Sequence, residues 1–569
     1  MYSKFMTEWL KKHDAGEAQE TEIRGKIIPK PIMQILKNRG YDSADKVEDF
    51  FTPALDKLHD PFLIPDMEKA AGRLVRAARD NEPVLIHGDY DTDGITATAL
   101  LFNRLKVLGV KPHYFIPSRF EEGYGLSRNG IEHAVRNGCR LVVAVDCGIT
   151  ADDEIAYART KDIEVIVCDH HQPQEKIPAA YAVLDPKLPH SKYPFPELAG
   201  VGVAFKLVQA LYTLLNRTAE ETWDDLDLVA LGSVVDVVPL VDENRCLVKY
   251  GIKKIKTSQK VAFQALLAET KLQKNLYSYH LGFILGPRIN ACGRLREARE
   301  ALELFLTEDY KTAAEIVQRL TADNQSRQEI EERIKEQARE IIERDRLHER
   351  RVIVCGHESW HEGVIGIVAS RISEEYHRPA ILLAMKEITA KGSGRSITGF
   401  DIADALNACR SLLVKFGGHK QAAGLELNRD KIPEFRDKIN DYADRQPAEI
   451  FQKKKYYDIK LSLKDINDEI VRFLNFFEPT GTGNPLPVFL GENFEVVGTP
   501  RVVGGKHLKF SVRQEGLVMS AIAFHQADQI LKMAPGKARL DCLYTVNEDS
   551  YAGKRKVELK IKEMEEAKH

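Results

Sequence analysis

The first half of the chain alternates short apolar runs with longer segments that have the periodicity of amphipathic helices. "PVLIHGD" precedes "GITATALLFNRLKVLG", and "KPHYFIP", "LVVAVDCGI" and "EVIVCDHH" follow in the same way, each separated by a helical segment. Apolar runs spaced like this are typical of βαβ units, whose strands form a parallel sheet. We therefore predict a parallel α/β domain over residues 61–306, after a helical and loop region at residues 1–60.

The pattern changes twice further along the chain. Residues 307–349 contain neither Pro nor Gly and repeat apolar positions at i, i+3 and i+4. They predict a charged helix of roughly 60 Å, which we interpret as a connection between two lobes. Residues 350–447 contain a second α/β pattern, with the strands "RVIVCG" and "PAILLAM". Residues 448–569 alternate in short strands between turn residues, which predicts a small antiparallel barrel.

The composition agrees with a soluble protein of several domains. The chain has 569 residues, of which 43% are hydrophobic and 29% charged, too many residues for one core. No stretch approaches the ~20 apolar residues that span a membrane, and the N-terminus lacks the apolar core of a signal peptide. The eight cysteines are scattered without a C-x-x-C pair. We expect reduced, buried thiols in a cytoplasmic, monomeric protein.

The charge of the chain is close to balanced, with a formal net charge of −3. This value does not favour a protein coated with nucleic acid. The segment from Lys453 to Lys562 carries 18 Lys and Arg against 13 Asp and Glu, an excess of five positive charges. This excess is compatible with local polyanion binding or with ordinary surface charge, and the count alone favours the second interpretation.

Acids and histidines follow three of the predicted strands, at the point where each strand ends. The first strand runs into His87, Asp89, Asp91 and Asp93, the second into Asp146, and the third into Asp169, His170 and His171. The carboxyl ends of parallel strands meet at one edge of the sheet, where open α/β folds bind ligands. We therefore expect these side chains to converge on one site.

The residue types at these strand ends are ligands for a hard or borderline cation. Carboxylates and imidazoles without thiolates suit Mn²⁺, Mg²⁺ or Fe²⁺ better than structural zinc. More than four such side chains are available, enough for two ions. Two metals ~4 Å apart activate a water for in-line attack at phosphorus. Asp146, on the central strand, is the candidate for a carboxylate that bridges both ions.

Each motif alone has an ordinary explanation. The run of acids resembles the start of a calcium loop, but Leu100 occupies the position of the closing Glu and a strand precedes the run. Asp146 alone would be a helix cap or a loop acid, and His170 with His171 would be structural. Asp236, in "GSVVDVVPL", is harder to dismiss because a carboxylate in an apolar segment needs a partner.

Together these motifs resemble a known superfamily. "HGDYDTDG", "VDCG", "DHH" and "DVVPL" occur in the order found in DHH phosphoesterases, and "WHEGVIGIVASR", "SGRS" and "GGHKQAAG" resemble the DHH-associated domain. With "GPRINACGR" and the barrel, the resemblance extends from about residue 25 to 565 and is greatest to the bacterial single-strand-specific 5′→3′ exonucleases. It implies an α/β fold in which a parallel-sheet DHH domain is joined by a long helix to a smaller DHH-associated domain, followed by a C-terminal OB-fold-like barrel.

The resemblance also implies the metal ligands. His87, Asp91 and Asp93 match the first metal-binding motif, Asp146 the bridging carboxylate, His170 a metal-binding histidine and Asp236 the acid of the fourth motif. Asp89 and Asp169 are expected to hold neighbouring ligands in place. Whether His87 binds metal directly or lies just behind it stays open. The implied cofactors are two divalent cations, with Mn²⁺ favoured over Mg²⁺.

Further residues are implied to contact the substrate. His171 would face the scissile phosphate as a catalytic residue beside Asp146, and Arg288 would offset charge there, with Asn290 and Arg294 nearby. Ser393 and Arg395 resemble a pocket for a 5′-phosphate, with His419 similarly placed. Arg119 would hold a phosphate and Tyr124 would stack on a base, unless Tyr124 is an ordinary loop aromatic.

Three functions are compatible with these motifs. The first is a 5′→3′ exonuclease on single-stranded DNA, working in DNA repair and recombination with a single-strand-binding protein and a RecQ-type helicase. The second is a phosphodiesterase of short oligonucleotides or cyclic dinucleotides, which would not need the long helix or the barrel. The third is an inactive binding protein, as in the DHH-like subunit of the eukaryotic replicative helicase. The complete set of motif residues argues against the third.

Overall fold

The structure is a computed structural model of the chain, which describes residues 8–119, 121–533, 539–549 and 556–567. The chain divides into two compact units. The larger unit consists of Trp9–Gly286, Phe305–Tyr310 and Lys455–His569. The smaller unit consists of Met1–Glu8, Pro287–Leu304 and Lys311–Lys454. None of the helices in the described ranges is long and apolar enough to cross a membrane.

The N-terminal region contains two short helices that are amphipathic. Its elements are β1 (Glu8–Lys11), β2 (Thr21–Ile23), β3 (Lys26–Ile28), α1 (Lys30–Asn38) and α2 (Ala44–Phe51). Ser43 begins α2 as an N-cap, since its side chain accepts the N–H of Lys46. The buried side chains of α1 and α2, including Leu36 and Phe50, belong to the same hydrophobic core as the C-terminal barrel.

The next region contains the predicted parallel sheet. Its elements are α3 (Met67–Arg79), β4 (Pro83–His87), α4 (Thr92–Val107), β5 (Lys111–Phe115), α5 (Arg128–Arg136), β6 (Leu141–Val145), α6 (Asp152–Thr160), β7 (Glu164–Cys168) and β8 (Ala182–Leu184). The strand order is β5-β4-β6-β7-β8, and all pairs are parallel, as predicted. The order reverses between β4 and β6, where α/β sheets open a crevice for ligands.

Five helices complete this part of the larger unit. They are α7 (Gly200–Leu214), α8 (Leu226–Val235), α9 (Asp242–Lys256), α10 (Val261–Thr270) and α11 (Ser278–His280). In α7, 13 of the 15 residues are buried, so this helix is enclosed by protein rather than amphipathic. Both α7 and α8 pack against α4. This packing brings the first turn of α7 and the last turn of α8 close to the start of α4.

The smaller unit contains a mixed sheet and the long helix. Its elements are α12 (Gly286–Leu295), α13 (Arg299–Leu306), α14 (Tyr310–Arg344), β9 (Ile353–His357), α15 (Ile365–Tyr376), β10 (Ala380–Met385), β11 (Thr389–Arg395), α16 (Ile402–Ala408), β12 (Leu413–His419), β13 (Ala422–Asn428) and α17 (Ile432–Ala443). The next strand, β14 (Lys454–Tyr457), has three of its four residues in the larger unit. The sheet order is β12-β13-β11-β10-β9. Helix α14 confirms the predicted helix over 35 residues.

The C-terminal region is a closed barrel. Its elements are β15 (Ile459–Lys460), α18 (Asp468–Asn475), β16 (Phe489–Val503), β17 (His507–Gln514), β18 (Leu517–Ala523), β19 (Arg539–Asp549) and β20 (Lys556–Glu566). The strands run in the order β15-β16-β17-β18-β20-β19, and a further pairing of β16 with β19 closes the barrel. Register shifts in β16 let this one long strand pair with both β17 and β19. The predicted OB-fold-like barrel is confirmed.

Candidate metal centre

The strand ends of the parallel sheet converge, as the sequence predicted. Three groups of side chains each offer ligand atoms that lie within 4.8 Å of one another: Asp89 with Asp91 and Asp146, Asp146 with His170 and His171, and Asp93 with His170 and Asp236. The first two groups share Asp146, and the last two share His170. The groups therefore form one continuous cluster at the carboxyl edge of β4, β6 and β7.

Backbone N–H groups fix the two acids at the start of α4. Asp91 caps this helix, and its Oδ1 accepts the N–H of Asp93 at 3.0 Å and that of Gly94 at 3.1 Å. Asp93 accepts two N–H groups from the first turn of α7, Gly200 at 2.7 Å and Val201 at 2.9 Å. Helix N-termini favour anions, so both carboxylates lie where negative charge is stabilised.

His170 lies among three carboxylates. Its Nε2 is 3.2 Å from Asp146 Oδ1, 3.6 Å from Asp236 Oδ2 and 3.8 Å from Asp93 Oδ2. Asp146 follows β6 in a left-handed conformation, with φ of 59°, which turns its side chain out of the strand direction. A Cβ at Gly200 would lie 2.7 Å from Asp146 Oδ1. Only glycine lets α7 begin so close to this carboxylate.

A hydrogen-bonded group orients His171. Its Nδ1 donates to Asp169 Oδ1 at 2.7 Å, and Asp169 also accepts the N–H groups of Ile149 and His170. The hydroxyl of Tyr124 lies 3.0 Å from the same Nδ1. The side chain of His171 is 36% exposed, against 7% for His170. His171 is therefore the histidine of the pair that solvent or a substrate can reach.

The acids of the cluster have perturbed pKa values. Burial raises the pKa of Asp93 to about 7, and the nearby charge of Asp91 adds to this shift. Burial and neighbouring acids also hold the pKa values of Asp89, Asp146 and Asp236 well above their usual range. The ionised forms of these acids are therefore disfavoured unless a positive charge lies nearby.

The two histidines respond to their surroundings in opposite ways. Burial lowers the pKa of His170 to about 3. Burial also opposes charge on His171, but its hydrogen bond to Asp169 and the negative charges of the neighbouring acids together outweigh this effect and raise its pKa. Asp169 is buried too, yet the hydrogen bond from His171 lowers its pKa to about 2. His170 is thus a neutral imidazole, the form that binds metal ions.

The cluster fits a divalent cation. Asp89 Oδ1, Asp146 Oδ1 and His170 Nε2 are buried and make no hydrogen bond. Buried polar atoms normally have a partner, so these three atoms have the character expected of metal ligands. Oxygen donors outnumber nitrogen donors, and no thiolate belongs to the three groups. This donor set suits Mn²⁺ or Mg²⁺.

His87 and Asp89 lie differently with respect to the cluster. The Nε2 of His87 accepts the N–H of Ser127 at 3.3 Å, and His87 belongs to none of the three groups found among the described residues. The carboxylate of Asp89 belongs to one of them. Neither observation tests metal binding, so the sequence-based roles of His87 and Asp89 stay predictions. Arg119 lies beside them, with its guanidinium 4.4 Å from the ring centroid of Tyr90.

The remaining predicted substrate residues belong to the smaller unit. Arg288 and Asn290 lie on α12, where Arg288 Nε donates to Thr321 Oγ1 at 3.3 Å. Arg294 ends the same helix and donates to the carbonyl of Gly363 at 3.3 Å. His419 is exposed at the end of β12.

Ser393 and Arg395 lie side by side on β11 of the smaller unit. The guanidinium of Arg395 donates to Ser393 Oγ at 3.1 Å. Ser393 pairs with Gly424 of β13, which in turn pairs with Gly417 of β12. Neither glycine has an atom within 4 Å of the place where a Cβ would be. This part of the sheet is therefore an open, backbone-lined surface beside Ser393.

Two residues near the cluster were missed by the sequence analysis. Asp185 follows β8, the next strand of the same sheet, and its Oδ2 is buried without a hydrogen bond. Burial raises its pKa to about 7. The signal was present, because "AVLD" repeats the pattern of an apolar strand that ends in an acid. Gly200 had no such signal, since its role depends on where α7 packs.

The fold and the carboxylate–imidazole cluster define a DHH-type protein. The family model of the DHH family, N-terminal domain, matches residues 83–233. That of the DHHA1 domain matches residues 349–445, and that of the RecJ OB domain matches residues 457–563. All four strands whose ends carry the clustered acids and Asp185 lie within the first match.

Several characterised proteins resemble the whole chain. It is 36% identical over 575 residues to the single-stranded-DNA-specific exonuclease RecJ of Escherichia coli (strain K12), covering 96% of this chain and 97% of that protein. For RecJ of Bacillus subtilis (strain 168), the values are 34% identity, 94% and 67%. The crystal structure of RecJ in complex with Mn²⁺ from Thermus thermophilus matches with a TM-score of 0.81 and 31% identity, covering 95% of this chain and 76% of that one. The chain belongs to the RecJ family.

Proposed function

We propose that the protein is a metal-dependent exonuclease that degrades single-stranded DNA from its 5′ end to mononucleotides, in DNA repair and recombination. The observation that carries this proposal is the cluster around Asp146 and His170, in which acids and imidazoles converge and the buried Asp146 Oδ1 and His170 Nε2 make no hydrogen bond. Membership in the RecJ family supports it, because those relatives are named as single-stranded-DNA-specific exonucleases. The barrel matched by the RecJ OB model supports a polymeric substrate.

The proposed cofactors are two divalent cations, with Mn²⁺ favoured and Mg²⁺ as the second choice. Asp91, Asp93, Asp146, His170 and Asp236 would hold them, with Asp146 shared. When bound, the cations would supply a nucleophilic water and stabilise negative charge on the phosphate. We retain His87 as a predicted ligand, and the grouping of Asp89 with Asp91 and Asp146 makes Asp89 a second candidate for direct contact.

Further side chains would act on the substrate. His171, held by Asp169 and Tyr124, would donate a hydrogen bond to an oxygen of the scissile phosphate. Arg288 would offset the charge that develops there. Arg119, Tyr124, Asn290, Arg294, Ser393, Arg395 and His419 would bind phosphates and bases of the strand. Backbone N–H groups and Arg395 suit a terminal phosphate.

The wider biological context is also part of the proposal. By family resemblance, a single-strand-binding protein and a RecQ-type helicase are the proposed partners, the protein is a monomer, and its location is the cytoplasm. We propose the domain division 1–60, 61–306, 307–349, 350–447 and 448–569, with the last segment holding the incoming strand by stacking and cationic contacts.

One experiment tests the function. The protein is incubated with Mn²⁺ and with single-stranded DNA labelled at the 5′ or the 3′ end, beside matched duplex DNA, RNA and a cyclic dinucleotide. We expect immediate release of the 5′ label as mononucleotide from the single strand alone. Turnover of the dinucleotide alone would favour a short-substrate phosphodiesterase. Tight binding of the strand without cleavage would favour a binding protein.

A matched pair of variants links the activity to the cluster. Asp146→Ala removes the carboxylate shared by two of the three groups, so turnover should be lost while most affinity for DNA in EDTA is retained. Asp153→Ala removes an exposed acid from the first turn of α6 and should leave both quantities unchanged. Substantial turnover by Asp146→Ala would disprove the assignment of the metal centre.

A further inference from the structure

The segment that carries Asp236 has an unusual backbone. Asp236 ends α8, and the next residue, Val237, has φ of 66° and a side chain that is 64% exposed. A β-branched residue in the left-handed region is strained, and burial of its side chain does not offset the cost here. The surrounding structure must therefore hold this turn in place. We call residues 236–241 the acid segment.

A loop from the C-terminal part of the chain packs on the acid segment. This barrel loop, residues 478–484, lies between α18 and β16. The carbonyl of Thr482 accepts the N–H of Leu240 at 2.7 Å. A Cβ at Gly481 would lie 2.9 Å from Leu240 Cδ1, and one at Gly483 would lie 3.1 Å from Pro239 Cβ. Two glycines thus allow the loop backbone to approach the segment that contains Asp236.

The barrel loop is itself firmly held. Gly481 and Asn484 exchange two backbone hydrogen bonds of 3.0 and 3.2 Å, which closes a tight turn. The side chain of Asn484 is buried and donates to the carbonyls of Phe477 and Pro479, both at 2.8 Å. Arg245, on α9, donates to the same two carbonyls at 2.9 and 3.2 Å. The loop is therefore a rigid support rather than a mobile cover.

Helix α9 also holds the acid segment, since the N–H of Arg245 donates to the carbonyl of Val241 at 3.2 Å. Asn244 Nδ2 donates to the carbonyl of Pro239 at 3.0 Å. Asp236 itself, 25% exposed at its side chain, reaches back to His170 at 3.6 Å. The conformation that aims Asp236 at the cluster is therefore supported by α9 and by the barrel loop.

We propose that the barrel loop is a positioning element of the metal centre: its contact with Pro239 and Leu240 holds Asp236 in the orientation needed to bind metal. The C-terminal part of the chain would then complete the metal centre as well as bind the strand. This inference rests on the proposed function, because it concerns the same metal site. It assigns no contact with substrate or metal to the loop itself.

Three glycine substitutions separate contact from backbone strain. Gly483→Ala places a methyl group against Pro239 and also strains a backbone with φ of 72°. Gly481→Ala adds a methyl group against Leu240 at a position without positive φ. Gly516→Ala is the matched control, since its φ is 83° but nothing lies within 4 Å of the added Cβ. All three residues belong to the larger unit.

The readout is Mn²⁺ binding measured by calorimetry without DNA, so that it does not depend on nuclease activity. We expect Gly483→Ala and Gly481→Ala to weaken Mn²⁺ binding about tenfold, the range found when residues that orient metal ligands are changed. Affinity for single-stranded DNA in EDTA should be unchanged. Gly516→Ala should match the wild type in both measurements.

A double-variant comparison tests whether the effect passes through Asp236. Asp236→Asn weakens Mn²⁺ binding by itself, and adding Gly483→Ala should then weaken it no further. Equal Mn²⁺ affinity of Gly483→Ala, Gly481→Ala and the wild type would overturn the proposal, as would full additivity with Asp236→Asn. A wild type that binds Mn²⁺ but degrades no DNA would instead contradict the proposed function and leave this comparison valid.

Discussion

The Nδ1 of His171 donates to the carboxylate of Asp169 over 2.7 Å. Asp169 is fully buried and also accepts three backbone N–H groups, from Ile149, His170 and His171, so the backbone around the end of β7 fixes its position. His171 is therefore oriented by the sheet rather than by solvent. A carboxylate that accepts a hydrogen bond from the Nδ1 of a histidine also sets the direction of the Nε2 of that ring, as in other sites where a carboxylate lies behind a catalytic imidazole.

Asp169→Asn should reduce catalysis more than binding. The amide cannot accept all four hydrogen bonds as strongly, so His171 loses its orientation and its positive charge is less stabilised. We expect the single-turnover cleavage rate to fall about 100-fold, with Mn²⁺ affinity changed much less. Tyr124→Phe, which removes only the hydroxyl next to the same ring, serves as the milder comparison. If Asp169→Asn cleaved at the wild-type rate, His171 would have no role that depends on its orientation.

Gly200→Ala should damage the metal centre without changing any ligand. The added Cβ would lie 2.7 Å from Asp146 Oδ1, and the neighbouring backbone that holds Asp93 would have to shift. We expect Mn²⁺ binding, measured by calorimetry, to weaken by at least about tenfold. Gly72→Ala on α3 is the control, because nothing lies within 4 Å of its added Cβ and Ala favours a helix. Equal Mn²⁺ binding by the two variants would show that the site tolerates this displacement.

Removal of metal should make stability depend on pH. Burial raises the pKa of Asp93 to about 7, so the folded metal-free protein binds more protons than the unfolded chain between the ordinary Asp pKa and about pH 7. The stabilisation associated with this raised pKa is present at low pH and is lost as pH rises through about 7. In EDTA, the thermal midpoint of the wild type should therefore fall from pH 6 to pH 8 relative to that of Asp93→Asn, in which this group cannot titrate.

Added Mn²⁺ should reverse this loss. It binds the ionised acids of the folded state, so its stabilising effect should be larger at pH 8 than at pH 6. Asp146→Asn removes one of the repelling charges, so it should raise the midpoint of the metal-free protein and reduce the shift caused by Mn²⁺. Scanning calorimetry at both pH values, with EDTA or with Mn²⁺, measures all of these changes. If the midpoint of the wild type in EDTA rose from pH 6 to pH 8 relative to that of Asp93→Asn, Asp93 would not have a raised pKa in the folded protein.

The buried pair of Lys206 and Glu243 should be strongly coupled. Lys206 on α7 is 0% exposed and donates to Glu243 on α9 at 2.7 Å, and Tyr193 and His59 also bond this carboxylate. Lys206→Met leaves Glu243 buried without its counter-ion, which costs about 3–5 kcal/mol. The double variant Lys206→Met/Glu243→Leu should lose less than the sum of the two single changes.

An exposed pair on the same unit provides the comparison. Lys254 and Asp224 form an ion pair with side chains 32% and 71% exposed. Lys254→Ala should change the free energy of unfolding in urea by less than about 1 kcal/mol. If Lys206→Met were no more destabilising than Lys254→Ala, the buried pair would contribute no more than a surface contact.

Local patterns in the sequence were enough to predict the elements that carry the candidate site. Apolar runs that end in acids predicted β4, β6 and β7. Because these strands are parallel, their carboxyl ends lie at one edge of the sheet. The helical periodicity of α14 and the alternation in the barrel strands were equally local. Helix α14 is shorter than predicted. It ends at Arg344, and a short 3₁₀ turn follows at Leu347–Glu349.

The residue roles within the site depend on contacts that no local pattern records. Whether Asp89 or His87 binds metal depends on the direction of each side chain. The backbone N–H of Ser127, in the loop before α5, donates a hydrogen bond to the Nε2 of His87. The sequence-based roles therefore stay predictions. The role of Gly200 could not be predicted from a local pattern either, because it arises from the packing of α7 against the end of β6.

By itself, the sequence determined strands β4 to β7, helix α14 and the alternating strands of the barrel, and which strand ends carry acids and histidines, because these properties follow from the periodicity of neighbouring residues. It did not determine β1, β2 and β3, which lie in a region expected to contain helices and loops. Only the tertiary structure decided that α1 and α2 share a core with the barrel, that Lys206 meets Glu243, and that Thr482 supports the segment of Asp236. Each of these contacts joins residues far apart in the chain. Such contacts are selected by packing and by the pairing of buried polar groups, which leave no periodic signal in the sequence.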